Sequence, residues 1–176
     1  MTAPRVVPLL LSAWLGAGIL FATAVAPAAF AVLPSRLLAG AVVGRVLPVL
    51  FVSGIVVAAL GLVLDRADAG MLPIVRRVAL IAALAACAIA QLGIAPRIER
   101  VRAQIDGPIE QLPQGDPRRA AFGRLHAMSV GWLGLAMLGA ATTIVLASLA
   151  PRAQQPARAG APAHSRPEPT ASSRAL

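Results

Sequence analysis

The side chains best suited to chemistry gather where the last apolar run begins, in FGRLHAMSVGWLG at residues 122–134. Phe122, His126, Ser129 and Leu133 fall at i, i+4, i+7 and i+11, which is one narrow face of a helix. His126 is one of two histidines in the chain and the only one outside the C-terminal tail. Histidine is the side chain whose charge changes near neutral pH. On such a face it acts in one of two ways. It bonds a carbonyl or hydroxyl of a neighbouring helix and fixes the packing, or it lines a small interfacial pocket as a ligand or proton-sensitive group. Phe122, His126 and Ser129 are therefore the candidate functional or packing face. Arg45 joins them as the one charge placed to lie below the headgroups. It either snorkels to the interface or pairs with a partner on the third or fourth helix.

Other chemistries lack their residues. A metal site needs several ligands, and the apolar core offers no second histidine and a single cysteine, Cys87. No metal and no cofactor is expected. GAG at 16–18 has no strand before it, so it fails as a dinucleotide motif. No phosphate loop or nucleophile elbow is present, and no catalytic constellation marks an enzyme.

The elements that must position these residues are apolar and long. Uncharged runs cover residues 6–34, 46–64, 78–96 and 127–151. A helix crosses a hydrocarbon core of roughly 30 Å with about 20 apolar residues, so each run predicts a span, at about 7–33, 45–64, 78–96 and 127–149. Lipid offers backbone groups no partners, so the spans must be helical. The first run exceeds the 7–15 apolar residues, roughly, of a signal peptide and is read as a retained span, although AFA at 29–31 resembles a cleavage site.

Composition agrees. Apolar residues make up 58% of the chain, against roughly 45–50% in soluble domains, and the mean hydropathy is +0.78. The net charge is +9, every one of the sixteen basic residues is an arginine, and most lie between apolar runs, as loop charges of a membrane protein do. With no tyrosine and few phenylalanines there is no stacking platform, so nucleic acid is excluded as a partner. The arginines divide evenly between the two sides, and the positive-inside rule assigns no orientation. No span holds an Asp, Glu or Lys, which argues against a proton-driven pump. The intramembrane hydroxyls Ser12, Thr23, Ser53, Ser129, Thr142, Thr143 and Ser148 are expected to bond back to the preceding turn. Gln91 is expected to bond across to another helix.

Local signals set the boundaries. Ser35 is an N-cap for the second helix, which runs to Asp65; Asp116-Pro117 is an N-cap and N1 pair for the fourth. That helix, running to about Leu149, would be about 50 Å long at 1.5 Å per residue, so its first turns project into water. Beyond Pro96, the spacing of Ile98, Val101 and Ile105 continues the third helix until DGP at 106–108 stops it. Helices 3 and 4 thus extend outside the bilayer over 97–126, with Glu99 and Arg124 as the leading ion pair. Gly18, Ala22 and Ala26, and Gly40 with Gly44, form small-residue lines for helix packing; Pro27 and Pro48 should kink their helices. The fold class is all-α, a four-helix transmembrane bundle over 1–150, with a disordered Pro-, Ala- and Arg-rich tail at 151–176.

Trp14-Leu15-Gly16, then Val25-Ala26-Pro27-Ala28-Ala29-Phe30 with Leu33-Pro34, then Ala39-Gly40-Ala41-Val42-Val43-Gly44, resemble the opening of the domain of unknown function 4149. IAPRI at 94–98 and FGRLHAMS at 122–129 are similar to its third-span end and fourth-span start. The resemblance covers roughly residues 8–148. That domain is shared by bacterial membrane proteins and a eukaryotic transmembrane-protein relative; the resemblance implies four membrane helices and brings no activity with it, and a bacterial cell membrane is the expected location. The expected role is a binding, scaffold or regulatory membrane component, with the lipid bilayer and a homo-oligomer or membrane-protein partner around it. The alternative is a small oligomeric transporter, whose pathway would lie between copies. Carbonate washing of membranes should leave the protein in the pellet; release into the soluble fraction would contradict the four spans.

Overall fold

The computed structural model describes residues 3–65 and 70–149, with side chains from residue 6 onward. The expected tail at 151–176 lies outside the described residues. Within them the chain is an all-α bundle whose four long helices are each apolar enough to cross a membrane. The first, α1, is α-helical over Ala3–Leu20, π-helical over Phe21–Val25 and α-helical again over Ala26–Val32. The second, α2, is Arg36–Leu64. The third, α3, runs over Met71–Ala88, a π-helical stretch at Ile89–Ile94, and Ala95–Arg102. The fourth, α4, is Pro117–Leu149.

The boundaries follow local chemistry. Leu33 is extended, as the residue before a proline must be, and ends α1. The Ser35 hydroxyl accepts the Leu38 N–H at 3.2 Å and opens α2. Asp116 accepts the Arg118 N–H at 2.8 Å and opens α4. Each π-helical stretch stands just before a proline, Pro27 or Pro96. A proline has no N–H for the preceding turn and crowds its carbonyl; a widened turn relieves both. Pro48 lies within α2, which is α-helical on both sides of it with no π-helical stretch.

The helices form a ring in chain order: α1 packs on α2 and α4, and α3 packs on α2 and α4. The most extensive contact joins α3 to α4. Ala79, Ala83, Ala86 and Ala90 on α3 are buried, as are Ala136, Gly139, Ala140 and Thr143 on α4. A Cβ on Gly139 would lie 2.7 Å from the Ala79 carbonyl oxygen. This contact is not one of the small-residue lines expected from sequence. Gly18 is buried against Met137, but Ala22 is exposed, and Gly40 with Gly44 faces a guanidinium rather than a helix. Trp14 knits α1 to α2 by donating its indole N–H to the Leu50 carbonyl at 2.9 Å. Gly54 makes room for that ring and for Cys87; a Cβ there would lie 2.7 Å from the indole.

The far end, where α2 hands over to α3, is clasped by Asp65. Its carboxylate, 5% exposed, pairs with Arg76 and with Arg77, the latter at 3.1 Å. The near end differs from expectation in two ways. α3 stops at Arg102, and Gln104 and Ile105 close onto Val101 and Arg102 in tight turns, so Ile105 lies beyond the helix. Gly107, at φ 113°, then reverses the chain. Glu99 pairs with Arg102 at 3.7 Å on its own helix, not with Arg124. Arg124 is two positions past Phe122, about 200° around α4, and is exposed.

Gly139→Ala should destabilise the bundle by about 1–3 kcal/mol, the range for overpacking, in reversible unfolding in mixed detergent. Gly131, with nothing within 4 Å of its Cβ position, is the control. There alanine should be neutral or stabilising, because it is the better helix former.

Candidate functional site

Where α3 ends and α4 begins, the packing opens into a cavity of about 580 Å³. α2 contributes Gly40, Gly44, Arg45, Pro48 and Phe51 to its wall. α3 contributes Gln91, Pro96, Ile98, Glu99 and Arg102, and α4 contributes Phe122, His126 and Ser129. Phe30 of α1 completes it. All four residues singled out from sequence, Arg45, Phe122, His126 and Ser129, therefore face one space. Three lie on the face of α4 that periodicity placed together; Arg45 arrives from another helix.

The apolar runs locate this space. Charged residues of α2 and α3 give way to hydrocarbon-like sequence after Arg45 and before Arg97, and α4 turns apolar after His126. Gly44 to Phe51, Gln91 to Ile98 and Phe122 to Ser129 each advance by seven residues, about 10 Å of helix. The cavity is thus about two turns deep at the end of the apolar runs. Arg102 and Phe122 sit at its mouth. Gln91 and Ser129 sit at its floor.

At the mouth, the Arg102 guanidinium lies over α2. A Cβ on Gly40 would be 3.2 Å from one of its terminal nitrogens, and a Cβ on Gly44 would be 3.2 Å from the other. Its central carbon is 5.9 Å from the Phe122 ring centroid, within cation–π range. The His126 ring stacks on Phe122, with centroids 6.2 Å apart and planes 3° from parallel. His126 is exposed and makes no hydrogen bond to a described residue; its contact is this stack. Arg45 is exposed and pairs with no described carboxylate, so the expected alternative of an ion pair with α3 or α4 is not formed among the described residues.

At the floor, Ser129 is 3% exposed. Ser12, Thr23, Ser53, Thr142, Thr143 and Ser148 all donate to carbonyls of the preceding turn. The same bond expected of Ser129 is not formed; Ser129 lines the cavity instead. Gln91 lies inside the π-helical stretch of α3, and its Oε1 is buried without a hydrogen-bond partner among the described residues. The bond across to another helix expected for it is not formed. Sequence reasoning missed Arg102, Glu99 and the two glycines as site residues. The Gly40-Gly44 pair was visible, but a GxxxG spacing does not say what it accommodates.

The start of α4 sets the register of its cavity face. Asp116 accepts Arg118 Nε at 3.1 Å and Nη2 at 2.8 Å, and Arg118 Nη1 donates to the Gln104 carbonyl at 2.8 Å. One carboxylate thereby caps α4 and anchors it, through Arg118, to the end of α3.

A family model described as a domain of unknown function (DUF4149) matches residues 9–106. The matched segment carries the α1, α2 and α3 walls of the cavity; the α4 wall lies beyond it. Neither the curated proteins nor the solved structures contain a match to the chain.

The side-chain hydrogen bond from Arg118, with help from the Arg118 N–H, holds the Asp116 carboxyl below the usual carboxylate range. A lowered folded-state pKa stabilises above the unfolded value, about 3.9 for Asp, and that contribution disappears as pH falls below it. In thermal unfolding, Asp116→Asn should melt below the wild type at pH 7. The gap should be unchanged down to about pH 5 and should close in stronger acid. A gap independent of pH would mean that charge plays no part in the cap.

Proposed function

The chain belongs to the family of the domain of unknown function 4149, and we propose that within it this multi-pass membrane protein is a binding component whose site is the cavity between α2, α3 and α4. The observation that carries this reading is the convergence of Arg45, Gln91, Phe122, His126 and Ser129 on one space. Its volume falls within the range of about 300–1,000 Å³ typical of small-molecule sites. The lining has the usual form of such a site, apolar walls with a few placed polar groups. Binding at the boundary of the bilayer would let the protein report or retain a membrane-borne ligand, which is a regulatory role.

Binding is favoured over transport because, among the described residues, the buried polar atom without a partner lies at one end. Below the floor, Trp14, Leu50, Ala86, Cys87, Leu133 and Ala136 are buried together. The buried Thr143 hydroxyl is already donating to Gly139. A substrate leaving downward would find no polar group free to receive it. Binding is also favoured over hydrolysis. His126 and Ser129 share a wall, but no hydrogen bond joins them, and a serine nucleophile needs an adjacent base.

Native mass spectrometry of protein released from its own membrane should find one small molecule retained per chain. Leu47→Trp, which fills the cavity from α2, should lose it while keeping the thermal stability of the wild type. Val43→Phe should do the same from the neighbouring position. Equal retention in both filled variants, or none in the wild type, would overturn the assignment.

A further inference from the structure

Resting on the reading of this cavity as a binding site, we propose that its ligand is a single-chain amphiphile with an acidic head group, and that Arg102 holds the head. The guanidinium is the feature that points to a ligand. It carries five N–H donors in a rigid plane, yet it donates no hydrogen bond to any described residue. Its only described ion-pair partner, Glu99, stands 3.7 Å away and is 64% exposed, a geometry worth little. Even so, the side chain is only 29% exposed.

The berth explains how that position is held. Gly40 and Gly44 leave the α2 backbone bare beneath both terminal nitrogens, and Phe122 covers the group from α4. The plane is held on two sides, with its donors left for something else. A planar fork fixed in this way suits carboxylate or phosphate oxygens, which it can meet with two parallel bonds. Arg45 adds a second positive charge to the same wall, against the single carboxylate of Glu99. An anion is the charge this mouth is short of.

The rest of the cavity describes the body of the ligand. Val43, Leu47, Pro48, Phe51 and Ile98 line the space below the mouth. A chain attached to the head would run down this wall for about two helical turns, or about 10 Å. The volume suits one chain, since sites of about 300–1,000 Å³ hold drug-sized molecules and a two-chain phospholipid is larger. A cationic amphiphile would meet Arg45 and Arg102 unfavourably. A neutral one would leave the guanidinium charge without a counter-charge.

The test uses the full chain in neutral maltoside detergent, titrated with dodecyl phosphate, dodecanol, dodecyltrimethylammonium or inorganic phosphate. Binding is read by native mass spectrometry and by the thermal shift. Dodecyl phosphate should bind one per chain and at least about tenfold more tightly than the other three, the least expected from charge-assisted hydrogen bonds. Arg102→Gln should remove that advantage without changing dodecanol binding, and Arg102→Lys should restore part of it. Gly44→Ala should also weaken dodecyl phosphate, because its Cβ meets only the movable end of Arg102 and displaces the fork from a folded protein. Arg124→Gln, on the opposite face of α4, should change nothing; an equal loss there would mean unspecific surface attraction and overturn the proposal.

The remaining outcomes separate this inference from the reading beneath it. If dodecanol binds as tightly as dodecyl phosphate and Leu47→Trp abolishes both, the cavity is a binding site and the acidic head is wrong. If inorganic phosphate matches dodecyl phosphate, the site takes a free anion and the amphiphile is wrong. If phosphatidylglycerol in nanodiscs displaces dodecyl phosphate and holds the site more tightly, the single chain is wrong. If none of the probes binds, both readings fail.

Discussion

The approach of α4 to α3, with Gly139 set against the Ala79 carbonyl, is the constraint on which the other positions depend. Lipid chains are as apolar as leucine, so helices inside a bilayer gain little by burying apolar side chains against each other. They hold together through close contact, and close contact needs small residues. Alanines on α3 and the Ala136, Gly139 and Ala140 group on α4 meet that need. Once they meet, the face of α4 is determined. The stripe through Thr143, Ala140, Ala136, Leu133 and Ser129 faces inward, and its continuation one and two turns nearer the start of the helix is His126 and Phe122.

The cavity opens where α3 stops following that stripe. Up to Ala90 its buried residues recur regularly; at Ile89–Ile94 the helix widens into a π turn ahead of Pro96. A wider turn changes the direction in which every later side chain points. Gln91 sits within this change and Arg102 follows it, which is how a residue from a charged, water-facing segment comes to lie against α2. α1 undergoes the same change at Phe21–Val25 ahead of Pro27, just below Phe30. Regular packing fills one half of the bundle, and both π turns belong to the other half.

The parts legible from sequence are those governed by near neighbours. Four spans, the Ser35 and Asp116-Pro117 starts and the return of hydroxyls to the preceding turn each depend on a few consecutive residues and the solvent. The face shared by Phe122, His126 and Ser129 depends only on helical period. Contacts between helices were less legible, for a physical reason. In a chain this rich in alanine nearly every helix face offers a small-residue line, so spacing could not pick Ala79–Gly139 over Gly18–Ala22. The position of Arg102 depended on the π turn, on the end of α3 three residues before Ile105, and on the register of α2, none of which a local pattern contains. Glu99 and Arg124 looked like partners by charge and proximity along the hairpin. The rotation of α4 that brings Phe122 inward turns Arg124 away.

The distribution of unmet needs then separates structure from function within one bundle. In the packed half polar groups are matched: Thr143 to Gly139, the Trp14 indole to Leu50, and Asp65 to two arginines. At the cavity the reverse holds. The buried Gln91 Oε1 has no described partner, a state that costs about 1–3 kcal/mol, and Ser129 is buried without the local bond its counterparts make. Arg102 is partly withdrawn from water with its donors unused. Glycines stand under it where alanine would favour the helix by about 1 kcal/mol each. Each departure weakens the fold, and a hydrophobic side chain at Gln91 or an alanine at Gly44 would remove it. Their concentration around one space is the ground on which the binding reading is proposed, since proteins depart from local rules chiefly where function requires it.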